Sequence, residues 1–286
     1  MMTVLKTSLY LLTVPLLSFC SVNGHTTATH LFSDSITIRK DFQKYFANCQ
    51  VKGSIVVFDN QQKQWITNDI TAIGSATLPA STFKIANLLI ALEAGVIKDE
   101  NDIIKWPGTT DTVKYGYRPE IYHDMTVREA FETSAGWVFV ELAKRIGKDN
   151  YRKYLASYHY GNQILTQSNA DFWNFGAFGI SPMNQLTFLR ALYEGQLPAS
   201  KRNIDIVKKV MRAEQTNQYT IYAKTGWTRD GGFNTGWWVG YVESANGVYF
   251  FATRLLQDRK QNQPNFGTCR KEITKAVLKE LGALPQ

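Results

Sequence analysis

Short apolar runs bounded by turn residues lie towards both ends of the chain, while its middle reads as helical. Residues 53–59 and 64–67 read as two strands joined by the polar turn 60–63, a hairpin. Residues 236–242 and 248–253 read as a second strand pair, joined by 244–247 with its Asn246-Gly247 turn signal. Between these lie helices. Residues 79–95 open with Pro79 and close on Gly95, and residues 125–146 begin with Thr126 and Glu129 spaced as a capping box. Ser181 followed by Pro182 places an N-cap before a helix over 184–193, and residues 272–281 read as a C-terminal helix ended by Gly282. Strands from both chain ends can share one antiparallel sheet flanked by helices, with the helical middle inserted as a second lobe.

The first residues carry a different pattern. Lys6 precedes an apolar run over 9–19 and a small-residue region over 20–24, which matches a signal peptide and is too short to span a bilayer. Val22 and Gly24 fit the positions before cleavage and put the mature start near His25. Lipidation at Cys20 is disfavoured, because bulky Phe19 precedes it. The mature chain is expected to be periplasmic or secreted, with no membrane association after cleavage.

Composition narrows the classes further. With 44% hydrophobic, 20% charged and 13% aromatic residues in 286, the chain is globular rather than disordered or fibrous. The net charge is +8, but the densest basic cluster is Lys208, Lys209 and Arg212, which reads as a solvated helix face and not a nucleic-acid stripe. The four histidines, His25, His30, His123 and His159, have no metal-ligand spacing, and no G-x-S-x-G elbow is present. A nucleophilic serine here needs a base other than histidine.

Residues 79–95 provide one. Ser81 falls in the first turn and Lys84 three residues on, along the same face. The apolar residues that follow bury this helix, and burial disfavours the ammonium form, leaving a basic amine near neutral pH. The helix N-terminus also favours negative charge developing near Ser81. One S-x-x-K is expected about once by chance in such a chain. Its occurrence with Lys224-Thr225-Gly226 and Tyr160-Gly161-Asn162 is far rarer.

In these residues the chain resembles the class D, oxacillinase-type serine β-lactamases, whose motifs S-x-x-K, S-x-V, Y-G-N and K-T-G follow in this order. Here they stand as Ser81-Thr82-Phe83-Lys84, Ser134-Ala135-Gly136, Tyr160-Gly161-Asn162 and Lys224-Thr225-Gly226. Lys105-Trp106, Phe172-Trp173, Trp237-Trp238-Val239-Gly240 and Arg270 extend the resemblance across the mature chain. It implies residues 1–24 as signal peptide and 25–286 as one β-lactamase-like domain. Within it, an α/β lobe covers roughly 25–98 and 195–286, and an all-helical lobe roughly 99–194. One position departs: Gly136 replaces the valine of S-x-V, removing an apolar side chain that in the family screens the lysine from water.

The resemblance also implies the roles. Ser81 forms an acyl-enzyme with a small β-lactam, and the backbone N–H groups of Ser81 and Trp227 hold the oxyanion. Ser134 relays a proton to the leaving nitrogen. Lys224, Thr225, Gly226 and Arg270 line the substrate-binding side, and Arg270 takes the substrate carboxylate. Arg254, at the end of a predicted strand, competes for that last role. The acids Glu141, Asp149, Asp171, Glu194 and Glu214 lie outside the E-x-x-L-N pattern of class A enzymes. Deacylation then needs another base, and the resemblance proposes Lys84 carboxylated by carbon dioxide, with the Trp173 indole N–H as donor to the carbamate and with no metal or other cofactor. From residue type alone, Trp173 is a packing residue, Ser134 an ordinary helical serine, and Lys224 and Thr225 ordinary strand residues. Two other readings share the motifs: a penicillin-binding DD-peptidase, and a non-catalytic penicillin-sensing domain. Cys49 and Cys269, the cysteines remaining after cleavage, are either bridged or two separate buried thiols.

Overall fold

A computed structural model describes residues 35–166, 170–230, 232–261 and 264–286. The signal-peptide reading of residues 1–24, with Lys6, Cys20 and the mature start at His25, lies outside the described residues.

The hairpins form where turn chemistry calls for them. β1 (Ser35–Ile38) precedes α1 (Gln43–Asn48), and β2 (Lys52–Asp59) turns into β3 (Gln64–Thr67). The Asp59 carboxylate accepts from the N–H groups of Gln61 and Gln62 at 2.9 Å each, closing that turn. α2 (Lys84–Glu93) ends at Gly95, whose φ of 66° only glycine adopts cheaply. The middle contains β4 (Ile103–Ile104), α3 (Thr112–Tyr115), β5 (Met125–Thr126), α4 (Val127–Glu132), α5 (Gly136–Ile146), α6 (Lys148–Ser157) and α7 (Pro182–Glu194). α8 (Lys201–Met211), β6 (Arg212–Gln215), β7 (Tyr219–Asp230), β8 (Phe233–Ser244), β9 (Gly247–Asp258) and α9 (Phe266–Glu280) complete the chain.

Seven strands form one sheet in the order β1-β3-β2-β9-β8-β7-β6, so strands from both chain ends are neighbours, β2 pairing antiparallel with β9. The period-2 pattern separates two cores. Val56, Phe58, Trp237, Val239 and Phe250 pack with α2, α5, α7 and α8 on one face. Ile55, Val57, Trp238, Val242 and Phe251 pack with α1 and α9 on the other. α7, within the range read as the helical lobe, lies against β2, β8 and β9.

Three expectations are corrected. The sheet is mixed rather than wholly antiparallel, because β1 runs parallel to β3 at the edge. The connection through α1 is long enough to carry the chain past one strand position. The segment 125–146 is two helices, not one: Thr126 caps α4 by accepting from the Glu129 N–H at 3.1 Å, but Ser134 has φ 60° and breaks the run before α5. The C-terminal helix starts at Phe266, not 272, so Cys269 and Arg270 lie inside its first two turns rather than before it. Gly267 and Arg270 hide the apolar period of those turns, and the sheet buries Phe266 and Cys269.

Cys49 and Cys269 are joined as a disulfide with Cα atoms 6.0 Å apart, resolving the open choice in favour of the bridge. It fastens the residue after α1 to α9.

Candidate active site

Ser81 lies in a 3-10 turn over Ala80–Phe83 that leads into α2, instead of in an α-helical first turn. The Ala80 N–H donates to the Trp173 carbonyl at 3.0 Å and fixes the turn against the loop after residue 170. Three residues on, Lys84 Nζ lies 2.9 Å from Ser81 Oγ. Lys84 is 1% exposed, and burial lowers its pKa to about 8, with the charge of Asp171 opposing the shift. The neutral amine read from the sequence is therefore accessible near neutral pH.

A second amine–hydroxyl pair faces the first. Lys224 on β7 donates to Ser134 Oγ at 3.1 Å, and the left-handed backbone of Ser134 is what presents that hydroxyl. Burial, then repulsion from Lys84 and Arg270, holds the Lys224 pKa well below its ordinary value. Gly226 lets β7 approach the nucleophile's turn: a Cβ there would stand 2.8 Å from the Pro79 carbonyl oxygen and 3.2 Å from the Thr82 nitrogen. This close approach brings β7 against the nucleophile's turn.

Arg270 donates to the Gly226 carbonyl at 2.6 Å, and burial lowers its pKa to about 10, which leaves it charged. Arg254 donates instead to the carbonyls of Ala72 and Ser75, beneath the sheet, and does not line the cleft. The open cleft holds about 710 Å³ and is lined by Ser81, Lys84, Ser134, Gly136, Thr225, Gly226, Trp227 and Arg270 among others. Trp173 is not among the lining residues. It is 1% exposed, its ring is stacked on Phe83 at 5.2 Å between centroids, and its indole N–H is buried without a hydrogen-bond partner among the described residues.

Sequence reasoning missed one wall. Tyr115 of α3 donates to the Asp171 carboxylate at 2.5 Å, and Asn174 donates to it at 2.7 Å. Asp171 is 1% exposed, and its pKa is raised by burial against those bonds. Tyr115, Arg118, Trp137 and Phe175 also line the cleft. Nothing local marks these residues, since Tyr115 and Asp171 are 56 positions apart.

Comparison with known proteins agrees with this geometry. Residues 50–279 match the penicillin binding protein transpeptidase domain family. Beta-lactamase OXA-10 of Pseudomonas aeruginosa is 38% identical over 253 residues, 87% of this chain and 92% of that protein. Beta-lactamase OXA-48 of Klebsiella pneumoniae is 36% identical over 246 residues, covering 86% and 89%. The crystal structure of the class D β-lactamase from Sebaldella termitidis superposes with a TM-score of 0.81 at 37% identity, covering 88% of this chain and 99% of that one. The chain belongs to the class D β-lactamases, a family of serine hydrolases within the penicillin-binding fold.

Proposed function

We propose that this enzyme hydrolyses β-lactam antibiotics through an acyl-enzyme on Ser81. The observation that carries the reading is the pair of dyads, Ser81–Lys84 at 2.9 Å and Ser134–Lys224 at 3.1 Å, whose serines line one cleft with Lys84. Lys84 accepts the Ser81 proton as Oγ attacks the lactam carbonyl. The N–H groups of Ser81 and Trp227 receive the developing oxyanion, where one lost donor costs about 10²–10³ in rate. Ser134, polarised by Lys224, hands a proton to the departing nitrogen, and Arg270 binds the ring carboxylate.

Release of the acyl group needs a base for water. Carbon dioxide bound to the Lys84 amine as a carbamate would supply it. The buried amine with its lowered pKa fits that chemistry, and the unpartnered Trp173 N–H fits a donor to the resulting anion. Export under the segment 1–24 would bring the enzyme to its substrates; among the described residues no helix is long and apolar enough to cross a membrane.

A chromogenic cephalosporin with the purified mature protein tests the reading. Many turnovers per molecule are expected. A single stoichiometric burst would overturn it in favour of a DD-peptidase or a sensing domain.

A further inference from the structure

Among the described residues the cleft is lined by no aspartate or glutamate, yet besides Lys84 it is lined by Lys114, Arg118, Arg229, Arg259 and Arg270. Three of these cations are engaged by the protein. Lys114 pairs with Asp171 at 3.7 Å, Arg118 with Glu120 at 2.8 Å, and Arg270 with the Gly226 carbonyl. The side chains of Arg229 and Arg259 are exposed and have no ion pair or hydrogen bond among the described residues. Asp258 beside them turns its carboxylate to the Lys260 N–H at 2.9 Å.

Strand register sets the direction of Arg229. Trp227 pairs with Gly236 and Arg229 with Asn234, which in turn pairs with Gln257. Side chains two apart share a face, so Trp227, Arg229 and Gln257 stand on the face that α9 covers. Arg259 lies in the turn just past β9, its N–H donating to the Gly232 carbonyl at 3.0 Å, and it lines the same cleft. Arg270 reaches the same face from α9, its guanidinium 5.9 Å from the Trp227 ring centroid. Three arginines thus border Trp227 on one side of the cleft.

We infer that Arg229 and Arg259 form a second anion subsite, which favours cephalosporins bearing an anionic group on the C3 substituent. The inference rests on the reading that Arg270 takes the ring carboxylate. A cephalosporin carries that carboxylate on C4, next to the C3 substituent, with the acylamino side chain at the opposite end. With the carboxylate at Arg270, the C3 substituent is the part of the substrate left beside the arginine-bearing face. Two exposed cations, with no acid among the described lining residues, attract an anion there through charge and guanidinium hydrogen bonds.

Cefonicid and cefamandole test this, because they differ only in a sulfomethyl or a methyl group on the C3 tetrazole. Each is measured as a competitor of benzylpenicillin hydrolysis by the mature protein, which gives an inhibition constant whether or not it is turned over. At low ionic strength the constant for cefonicid is expected to be about fivefold lower. The ratio should fall to about one in the double variant Arg229→Ala, Arg259→Ala and in about 0.5 M NaCl. It should persist in Arg229→Lys, Arg259→Lys, which keeps the charges. Equal constants in the unaltered enzyme, or a ratio that survives the alanine double variant, overturn the inference. A preference for carbenicillin over benzylpenicillin, which differ by a side-chain carboxylate, with none for cefonicid, overturns it as well by moving the subsite to the other end. Failure to hydrolyse benzylpenicillin at all would instead sink the reading on which it rests.

Discussion

Lys84 concentrates the chemistry in one buried amine. Near pH 7, a lysine with its pKa at about 8 is roughly one-tenth neutral, against less than a thousandth for an ordinary one. Only the neutral amine reacts with carbon dioxide, and acid returns the carbamate to the ammonium. Added bicarbonate should therefore raise the steady-state rate in carbon-dioxide-depleted buffer, and acidification should lower it. Indifference to bicarbonate, with no labelled carbon dioxide retained on the lysine, would remove the carbamate from the mechanism. Gly136 tunes this. A Cβ placed there meets nothing within 4 Å, and Gly136 lines the cleft, so Gly136→Val adds methyl groups at the cleft. The variant should need less bicarbonate for full activity in a titration. Trp173→Phe keeps an aromatic ring against Phe83 and removes the N–H. Mass spectrometry should show acyl-enzyme persisting in that variant with acylation intact, while unchanged turnover would leave Trp173 a packing residue.

At the scale of elements, the break between α4 and α5 is a backbone distortion at Ser134, whose φ is 60°. The capping signal at Thr126 and the apolar period beyond it read through Ser134, because a side chain's local preference does not reveal a left-handed φ imposed from outside. What imposes it is long-range: the hydroxyl meets Lys224, 90 residues away. Ser134→Gly relieves the strained backbone and Ser134→Ala keeps it, while both lose the hydroxyl. In urea unfolding the glycine variant should be more stable than the alanine variant by about 1 kcal/mol, and both should acylate about 10²–10⁴ more slowly. Equal stabilities would mean that Ser134 stores no strain. The hairpin β2–β3 shows the opposite case. Its strands, its turn and the Asp59 carboxylate that closes it lie within a few residues of one another, and all were legible.

For the whole molecule, the Cys49–Cys269 bridge joins points 220 residues apart. In the chain-entropy account, such a loop stabilises by about 5 kcal/mol before strain is subtracted. Thiol titration of the denatured, unreduced mature protein should find neither cysteine free. Reduction should lower the denaturant midpoint by an amount equivalent to about 2–5 kcal/mol, and an unchanged midpoint would assign the bridge no thermodynamic weight.

Local chemistry fixed what could be read within one turn or one strand: the hairpins, the caps at Thr126 and Ser181, and Lys84 beside Ser81 on one short segment. The motif order then joined distant segments by resemblance. The resemblance preferred Arg270 to Arg254, and the fold separates their surroundings. Both follow from similar sequence positions, but alternation turns Arg254 towards the carbonyls of Ala72 and Ser75, while α9 carries Arg270 to Gly226. The Tyr115–Asp171 wall, the parallel edge strand β1 and the convergence of Arg229 and Arg259 were likewise decided by tertiary structure. Periodicity records which way a side chain faces along its own element. Which element lies opposite depends on packing summed over the whole chain.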